Sequence, residues 1–263
     1  MAITLAPIKP NHSIANASSP QAQGLAFWAP CGYGPGVLDP RSGLYVPPIV
    51  SAVAPRITAS GLVGMDCTVN NQGARITTPA TLNGLFPMSV MVCFFQVATP
   101  SAYGTYGGCT YTNTDAGPYN QYNIGHNSAG NTLEFRYNSA GTQRELIGSG
   151  VAANGAVHVL IATLDDGAQA LYLDGTSNAT AALAAAAPTY GTSQLTVGQQ
   201  TSDQTTRNCG AIVFDLRLYS RALSAQDARD FTNQWTDLYV VPSVPWGRLA
   251  SLTLKQLAAL GVG

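Results

Sequence analysis

The chain is short of charge. Of its 263 residues, 12 are basic and 13 acidic, 10% in all, against roughly 25% in ordinary soluble domains. Lysine occurs only at Lys9 and Lys255, and glutamate only at Glu134 and Glu145. With a net charge of −1 there is no basic stripe to neutralise phosphates, which argues against nucleic acid and anionic membrane as partners. A disulfide framework is also missing: Cys31, Cys67, Cys93, Cys109 and Cys209 are odd in number, with no Cys-x-x-Cys pair, so metal ligation is not expected from spacing. Cys93 lies inside the apolar run Ser89-Val-Met-Val-Cys-Phe-Phe95, where a thiol acts as a small hydrophobe. The histidines His12, His126 and His158 are far apart, and there is no His-Glu-x-x-His, no Gly-x-Ser-x-Gly and no phosphate-cradling glycine loop before a helix, so neither zinc hydrolysis, serine acyl transfer nor nucleotide binding is indicated. No apolar run approaches the roughly 20 residues of a membrane span. The N-terminal Met1-Ala-Ile-Thr-Leu-Ala-Pro-Ile-Lys-Pro10 lacks the basic start and apolar core of a secretory signal, so the chain is expected to be made and kept in a cytoplasm. A surface so poor in charge is weakly protected from association. It fits both a subunit covered by neighbours and an extracellular β-domain.

Polarity is carried instead by Ser, Thr, Asn, Gln and Gly, between short apolar segments. Strands are predicted at 24–28, 73–78, 89–98, 132–138, 143–147, 157–164, 168–174, 194–198 and 210–219; this spacing, with turn residues between, indicates a sandwich or barrel. Asn-Ser-Ala-Gly occurs at 127–130 and again at 138–141, bracketing a strand in which Leu133, Phe135 and Tyr137 face one way and Glu134 and Arg136 the other. His158 sits in a strand and reads as a hydrogen-bonded structural residue. Asp166-Gly167 is a hairpin signal. Ser224, with Asp227 three residues on, is placed to cap a short helix carrying Ala228 and Phe231. The domain organisation expected is an extended arm over 1–23, one β-domain over 24–240 and a Pro-broken tail over 241–263 that ends in a short apolar helix needing a docking surface.

The strand that turns directly into a capped helix, Gly210-Ala-Ile-Val-Phe-Asp-Leu-Arg-Leu-Tyr-Ser-Arg-Ala-Leu-Ser-Ala-Gln-Asp227, resembles the closing segment of laminin-G-like, concanavalin A-like jelly rolls. Gly24-Leu-Ala-Phe-Trp28, Asp39-Pro-Arg-Ser-Gly43, Leu171-Tyr-Leu-Asp-Gly175 and Leu195-Thr-Val-Gly198 match its order of elements over about 24–235. Asn233-Gln-Trp235 is similar to the Asn-Pro-Trp that follows this fold in phage-encoded members, with glutamine here in place of proline. The resemblance implies an all-β jelly-roll sandwich of two antiparallel sheets with a short helix after the last strand, and first and last strands side by side. It also implies a non-enzymatic phage virion protein, in capsid decoration or associated with a tail or fibre, located in the virion, anchored by its termini to other virion proteins as a homo-oligomer, and able to meet a host-surface glycan. A lectin-like carbohydrate-binding module is the alternative, and a degenerate glycosidase domain a third reading.

Jelly-roll glycosidases of this class use Glu-x-Asp-x-Glu on one strand to place acid and nucleophile on a common face. Neither glutamate sits in that motif; Glu134 and Glu145 read as an exposed cross-strand pair, and enzymatic activity is not expected. No cofactor is expected either. Calcium is the one metal with candidate loop ligands, at Asp165, Asp166, Asp174 and Asp203, but they form no dense acidic cluster. Between Thr99 and Asn131, Tyr103, Tyr106, Tyr111, Tyr119 and Tyr122 stand among Gly, Asn and Thr. They are candidates for stacking on sugars or for protein contact, unless the segment is ordinary strands and turns. Trp246, Leu254, Leu257 and Leu260 are the candidate assembly residues of the tail.

Overall fold

The computed structural model describes residues 19–238 except 32–36, 39–44, 47–54, 60, 70–71, 79–81, 83, 111–119, 128–131, 183–187, 189–193 and 200–206. The arm up to residue 18, the tail with Trp246, Leu254, Leu257 and Leu260, and Tyr111, Tyr119, His12 and Asp203 therefore lie outside the described residues. In chain order the strands are β1 (Leu25–Pro30), β2 (Val37–Leu38), β3 (Tyr45–Val46), β4 (Pro55–Ile57), β5 (Val63–Cys67), β6 (Ala74–Thr77), β7 (Met88–Gln96) and β8 (Thr105–Thr110). They continue with β9 (Asn120–His126), β10 (Leu133–Ser139), β11 (Thr142–Ile147), β12 (Val157–Asp165), β13 (Ala168–Leu173), β14 (Thr176–Ala182), β15 (Gln194–Val197) and β16 (Ala211–Tyr219), and the helix α1 spans Ala225–Asn233.

Two antiparallel sheets form the sandwich. One has the order β14-β13-β12-β7-β16-β5-β4, with β1 also paired to β16; the other runs β11-β10-β9-β8-β15-β6. Period-two alternation sends one side of each strand inward. Val90, Val92, Phe94, Leu160, Ala162, Leu164, Leu216 and Leu218 from the first sheet meet Tyr122, Ile124, Leu133, Phe135, Tyr137 and Leu195 from the second in one core. The strands β7, β12 and β16 are apolar on both faces because their other side is buried too. Met91, Ile161, Phe214 and Tyr219 form a second cluster with Leu223, Ala228 and Phe231, so that α1 covers the outer face of the larger sheet. Near-continuous apolar runs are what doubly covered strands require.

Local chemistry accounts for the connections. In the β10–β11 hairpin Ala140 and Gly141 both take positive φ and Asn138 Oδ1 accepts from Gly141 N at 3.0 Å. Gly167 makes the β12–β13 turn at φ 83, the left-handed backbone that glycine adopts without strain. The helix opens with a full capping box: Ser224 Oγ accepts from Asp227 N at 3.1 Å and Asp227 Oδ2 from Ser224 N at 2.8 Å. Burial raises the Asp227 pKa, but Arg221 and Ser224 outweigh it and hold it at about 2. Ser224→Ala is expected to cost about 1 kcal/mol, read as a fall of a few degrees in Tm; an unchanged Tm would show that packing of Phe231 alone sets the helix.

A buried clasp joins the two ends of the sandwich. A 3-10 turn at Pro20–Ala22 precedes β1 and another at Trp235–Leu238 follows α1. Both reach Arg217, which is fully buried on β16. Its Nε donates to Asp215 Oδ2 at 2.9 Å, its Nη2 to Asp215 Oδ2 and the Trp235 carbonyl, and its Nη1 to Gln21 Oε1. Gln21 Nε2 closes the circuit by donating to the Gln234 carbonyl. Burial pulls the guanidinium pKa down, yet the Asp215 carboxylate overrides it and holds the value above the ordinary one. A register shift between Val213 and Asp215 places Asp215 and Arg217 opposite Cys93 and Met91, on the outer side of the sheet. First and last strands thus lie side by side, as the resemblance implied.

The segment 99–131 holds two full strands, β8 and β9, rather than one long loop. Gly107-Gly108 and Asn120, Asn123 hide them, because these residues are poor strand formers. Here they are needed: an ideal Cβ on Gly107 would fall 2.6 Å from Leu216 Cδ1, and one on Gly108 2.5 Å from the Tyr122 carbonyl oxygen. The edge strand β14, Thr176-Ser-Asn-Ala-Thr-Ala-Ala182, escaped for the same reason.

Candidate functional site

The register of the smaller sheet lines up one polar row across all six strands. Arg75 of β6 stands opposite Thr196 of β15, Thr196 opposite Gly108 of β8, Gly108 opposite Asn123 of β9, Asn123 opposite Arg136 of β10, and Arg136 opposite Glu145 of β11. Residues directly opposite share a face, and this face points away from the core that holds Tyr122, Ile124, Phe135 and Tyr137. A neighbouring row adds Thr105, Gly125 and Glu134. Asn123 Nδ2 donates to Thr105 Oγ1 at 2.8 Å, and Thr196 Oγ1 to the Gly108 carbonyl at 3.5 Å.

Both glutamates converge on Arg136. Its Nη2 pairs with Glu134 Oε1, and its Nε lies 3.6 Å from Glu145 Oε1. Glu134 and Arg136 are buried, while the Glu145 side chain is 44% exposed. The expectation of an exposed pair is therefore corrected for Glu134: it does face away from the core, but its side of the sheet is covered as well. Burial pushes its pKa up to about 8 against the opposing pull of Arg136. The period-two pattern could say which way Glu134 points, and not that a second layer lies over it.

Tyr103 stands over this row. Its backbone takes φ 58, a strained region for a bulky residue and one that concentrates at functional positions. Its N–H donates to the Asn127 carbonyl at 3.0 Å, and its carbonyl accepts from Thr105 Oγ1 at 3.4 Å. The Cζ atoms of Arg136 and Arg207 lie 4.4 and 4.8 Å from its ring centroid, within cation–π range. Carboxyl, guanidinium, amide and hydroxyl groups are thus aligned on one face, the donor and acceptor mixture that orients sugar hydroxyls.

The other described tyrosines of the sequence-predicted cluster are elsewhere, and two candidate sites are corrected here. Tyr106 and Tyr122 are fully buried core residues that present no ring to a ligand. Tyr106 stacks on Phe94 at 4.0 Å, donates to Gln96 Oε1 and shares a 2.7 Å hydrogen bond with His126 Nε2. His126 ends β9 in the interior, where burial lowers its pKa to about 4. Residues 105–110 and 120–126 alternate in and out as strands, so only part of a tyrosine-rich segment can face a partner. Sequence reading missed Asn123, Arg136 and Arg207, whose alignment depends on pairing among strands distant in sequence.

Of the calcium candidates, Asp174 is engaged by His158: Nδ1 lies 2.8 Å from its Oδ2, and Oδ1 accepts from Val159 N at 3.0 Å. Burial lowers the His158 pKa, but the bonds to Asp174 and the Ala153 carbonyl raise it overall. Asp165 caps its own turn through Asp166 N at 2.7 Å. Among the described residues no three His, Cys, Asp or Glu side chains group as a metal site, and no helix is long and apolar enough to cross a membrane.

The family model of the concanavalin A-like lectin/glucanases superfamily, in its laminin G form, matches residues 97–229, about half of the chain. The chain belongs to that superfamily. It is a lectin-like jelly roll, with the two-sheet architecture and, among the described residues, the short helix after the last strand expected from its sequence. No curated protein matches it in sequence. Among solved structures it is similar to Trypanosoma rangeli sialidase in complex with sialic acid (TM-score 0.55, 16% identity, 87% of this chain and 36% of that one). It is similar also to the binding domain of Paraclostridial Mosquitocidal Protein 1 (TM-score 0.53, 12% identity, 81% of this chain and 52% of that one). A third is the binding domain of Botulinum Neurotoxin DC in complex with SialylT (TM-score 0.52, 12% identity, 80% and 51%). The chain spans between about a third and a half of these structures' lengths, and identities this low show a shared fold alone.

The expectation that the chain is not an enzyme is overturned. Its structural neighbours include a series of sialidases, so this fold occurs within hydrolytic enzymes as well as binding domains. The argument for excluding enzymatic activity rested on two exposed glutamates without a motif. Glu134 is instead a buried carboxyl paired with Arg136, with its pKa raised to about 8.

Proposed function

We propose that this jelly roll binds glycans at the accessible margin of the polar row of its smaller sheet, with Glu145, Tyr103 and Arg207 meeting sugar hydroxyls and the buried Asn123, Arg136 and Thr196 forming the row they border. The observation that carries this reading is the register that aligns Arg75, Thr196, Gly108, Asn123, Arg136 and Glu145 across six strands. Glycine at the centre leaves the row without a side chain between Thr196 and Asn123. Superfamily membership supports it, as do structural neighbours in complex with sialic acid and SialylT. A carbohydrate microarray probed with the full chain and with Arg207→Ala tests it. Binding by the former and at least about tenfold weaker binding by the latter is expected, the effect of losing roughly 1.4 kcal/mol from one polar contact. Equal binding by both, at matched circular dichroism, places the glycan elsewhere; no binding by either overturns the reading.

A second reading concerns where such a module is carried. The clasp around Arg217 brings the turns at Pro20–Ala22 and Trp235–Leu238 together, so the described chain begins and ends close together. Such closeness is compatible with display from a larger assembly, and we infer a virion of phage type, with the terminal segments as the attachment. Deleting 241–263 is expected to abolish incorporation into particles while leaving Tm unchanged; undiminished incorporation refutes the anchoring role.

A further inference from the structure

The five cysteines are all free thiols and all buried, and two of them meet. Cys67 ends β5 opposite Ala211 of β16, and Cys209 precedes that strand by one residue, Gly210, whose φ of 63 folds the chain back. Cys209 Sγ donates to the Cys67 carbonyl oxygen at 3.7 Å, and the neighbouring Cys209 thiol, with burial, pushes the Cys67 thiol well above its ordinary pKa. Space for them depends on Gly198: an ideal Cβ there would fall 2.2 Å from Cys67 Sγ, and its φ of 78 excludes other residues without strain. Cys31 Sγ donates instead to the Ala29 carbonyl at 3.1 Å. Cys109 is engaged elsewhere, with Thr78 Oγ1 and Gln121 Oε1, each at 3.1 Å.

We propose that Cys67 and Cys209 form a disulfide when the chain meets a low-molecular-weight disulfide, fastening β5 to the segment that leads into β16. One thiol loses its proton and attacks a sulfur of the oxidant, expelling a thiolate and leaving a mixed disulfide. The other thiol then deprotonates and attacks the protein sulfur of that bond, expelling the second thiolate. Two protein thiols are oxidised, and one small disulfide is reduced to two thiols. Burial makes the exchange slow, since the oxidant reaches the pair only when that end of the sandwich opens. The bond closes a loop between residues separated by 142 positions in sequence, a length at which a cross-link restricts the unfolded chain strongly.

The test is oxidation of the full chain with oxidised glutathione in mild urea, followed by alkylation under denaturing conditions and peptide mapping. A Cys67–Cys209 peptide is expected, with Cys31, Cys93 and Cys109 still alkylated, and a Tm higher by on the order of 10 °C that dithiothreitol reverses. Cys31→Ser should keep the cross-link, and Cys209→Ser should lose both it and the Tm gain. Five alkylated thiols after prolonged exposure, a Cys31–Cys67 peptide, or glutathione adducts without a cross-link would each overturn the proposal.

Discussion

Arg217→Met is expected to lower stability by about 3–5 kcal/mol, the usual loss when one member of a buried ion pair is removed. For a domain of this size that corresponds to a fall in Tm of roughly 6–20 °C. The cost arises from several losses at once. Asp215 would keep its carboxylate in the interior without the guanidinium that balances it, and the Gln21 side chain and Trp235 carbonyl would lose their donor. Desolvated groups deprived of a partner cost more than the bond itself contributes. The double replacement Asp215→Leu with Arg217→Met removes both charges and should recover much of the loss, since apolar groups of similar volume replace buried ion pairs well. Thermal denaturation of the two variants decides the matter. A single variant within about 1 kcal/mol of the unmodified chain would mean that the clasp contributes little and that the pairing of β1 with β16 alone ties the ends together.

The second large effect is a pH dependence centred on Glu134. Its pKa in the folded chain is about 8 against an ordinary value of 4.5, so between these values the folded state binds more protons than the unfolded state. The stabilising contribution is fully present below pH 4.5 and is lost as pH rises through 8. In Glu134→Gln the site no longer titrates. The difference in stability between the unmodified chain and the variant should therefore shift in the variant's favour by about 2 kcal/mol or more from pH 5 to pH 9. His126 acts on the other side: its folded pKa of about 4 lies below the ordinary 6.5, so its contribution is present above 6.5 and lost as pH falls through 4. Urea denaturation at pH 5, 7 and 9 tests the Glu134 effect. A difference that stays flat across that range would show that Arg136 keeps the carboxylate ionised in the folded chain.

Much of the architecture could be read before folding was considered. The alternation of Leu133, Phe135 and Tyr137, the both-faced apolar run from Val157 to Leu164, the Asp166-Gly167 turn and the Ser224 cap are local signals, and each appears where its chemistry places it. The segment between Thr99 and Asn131 was ambiguous because glycine and asparagine are poor strand formers, yet β8 and β9 need their glycines where neighbouring atoms approach closely. Tyr106 and Tyr122 looked like ligand contacts because composition counts aromatic rings without their direction.

Sequence alone determined the fold class and the position of the capped helix, because hydrophobic period, turn chemistry and capping act over a few neighbouring residues. Tertiary structure decided the rest. Arg217 meets Gln21 across 196 positions in sequence, Cys67 meets Cys209 across 142, and the row from Arg75 to Glu145 exists only through the pairing order of six strands. Register between distant strands depends on how both sheets fill one shared core, so the burial of Glu134 and the alignment of the candidate site emerge only once that core has formed.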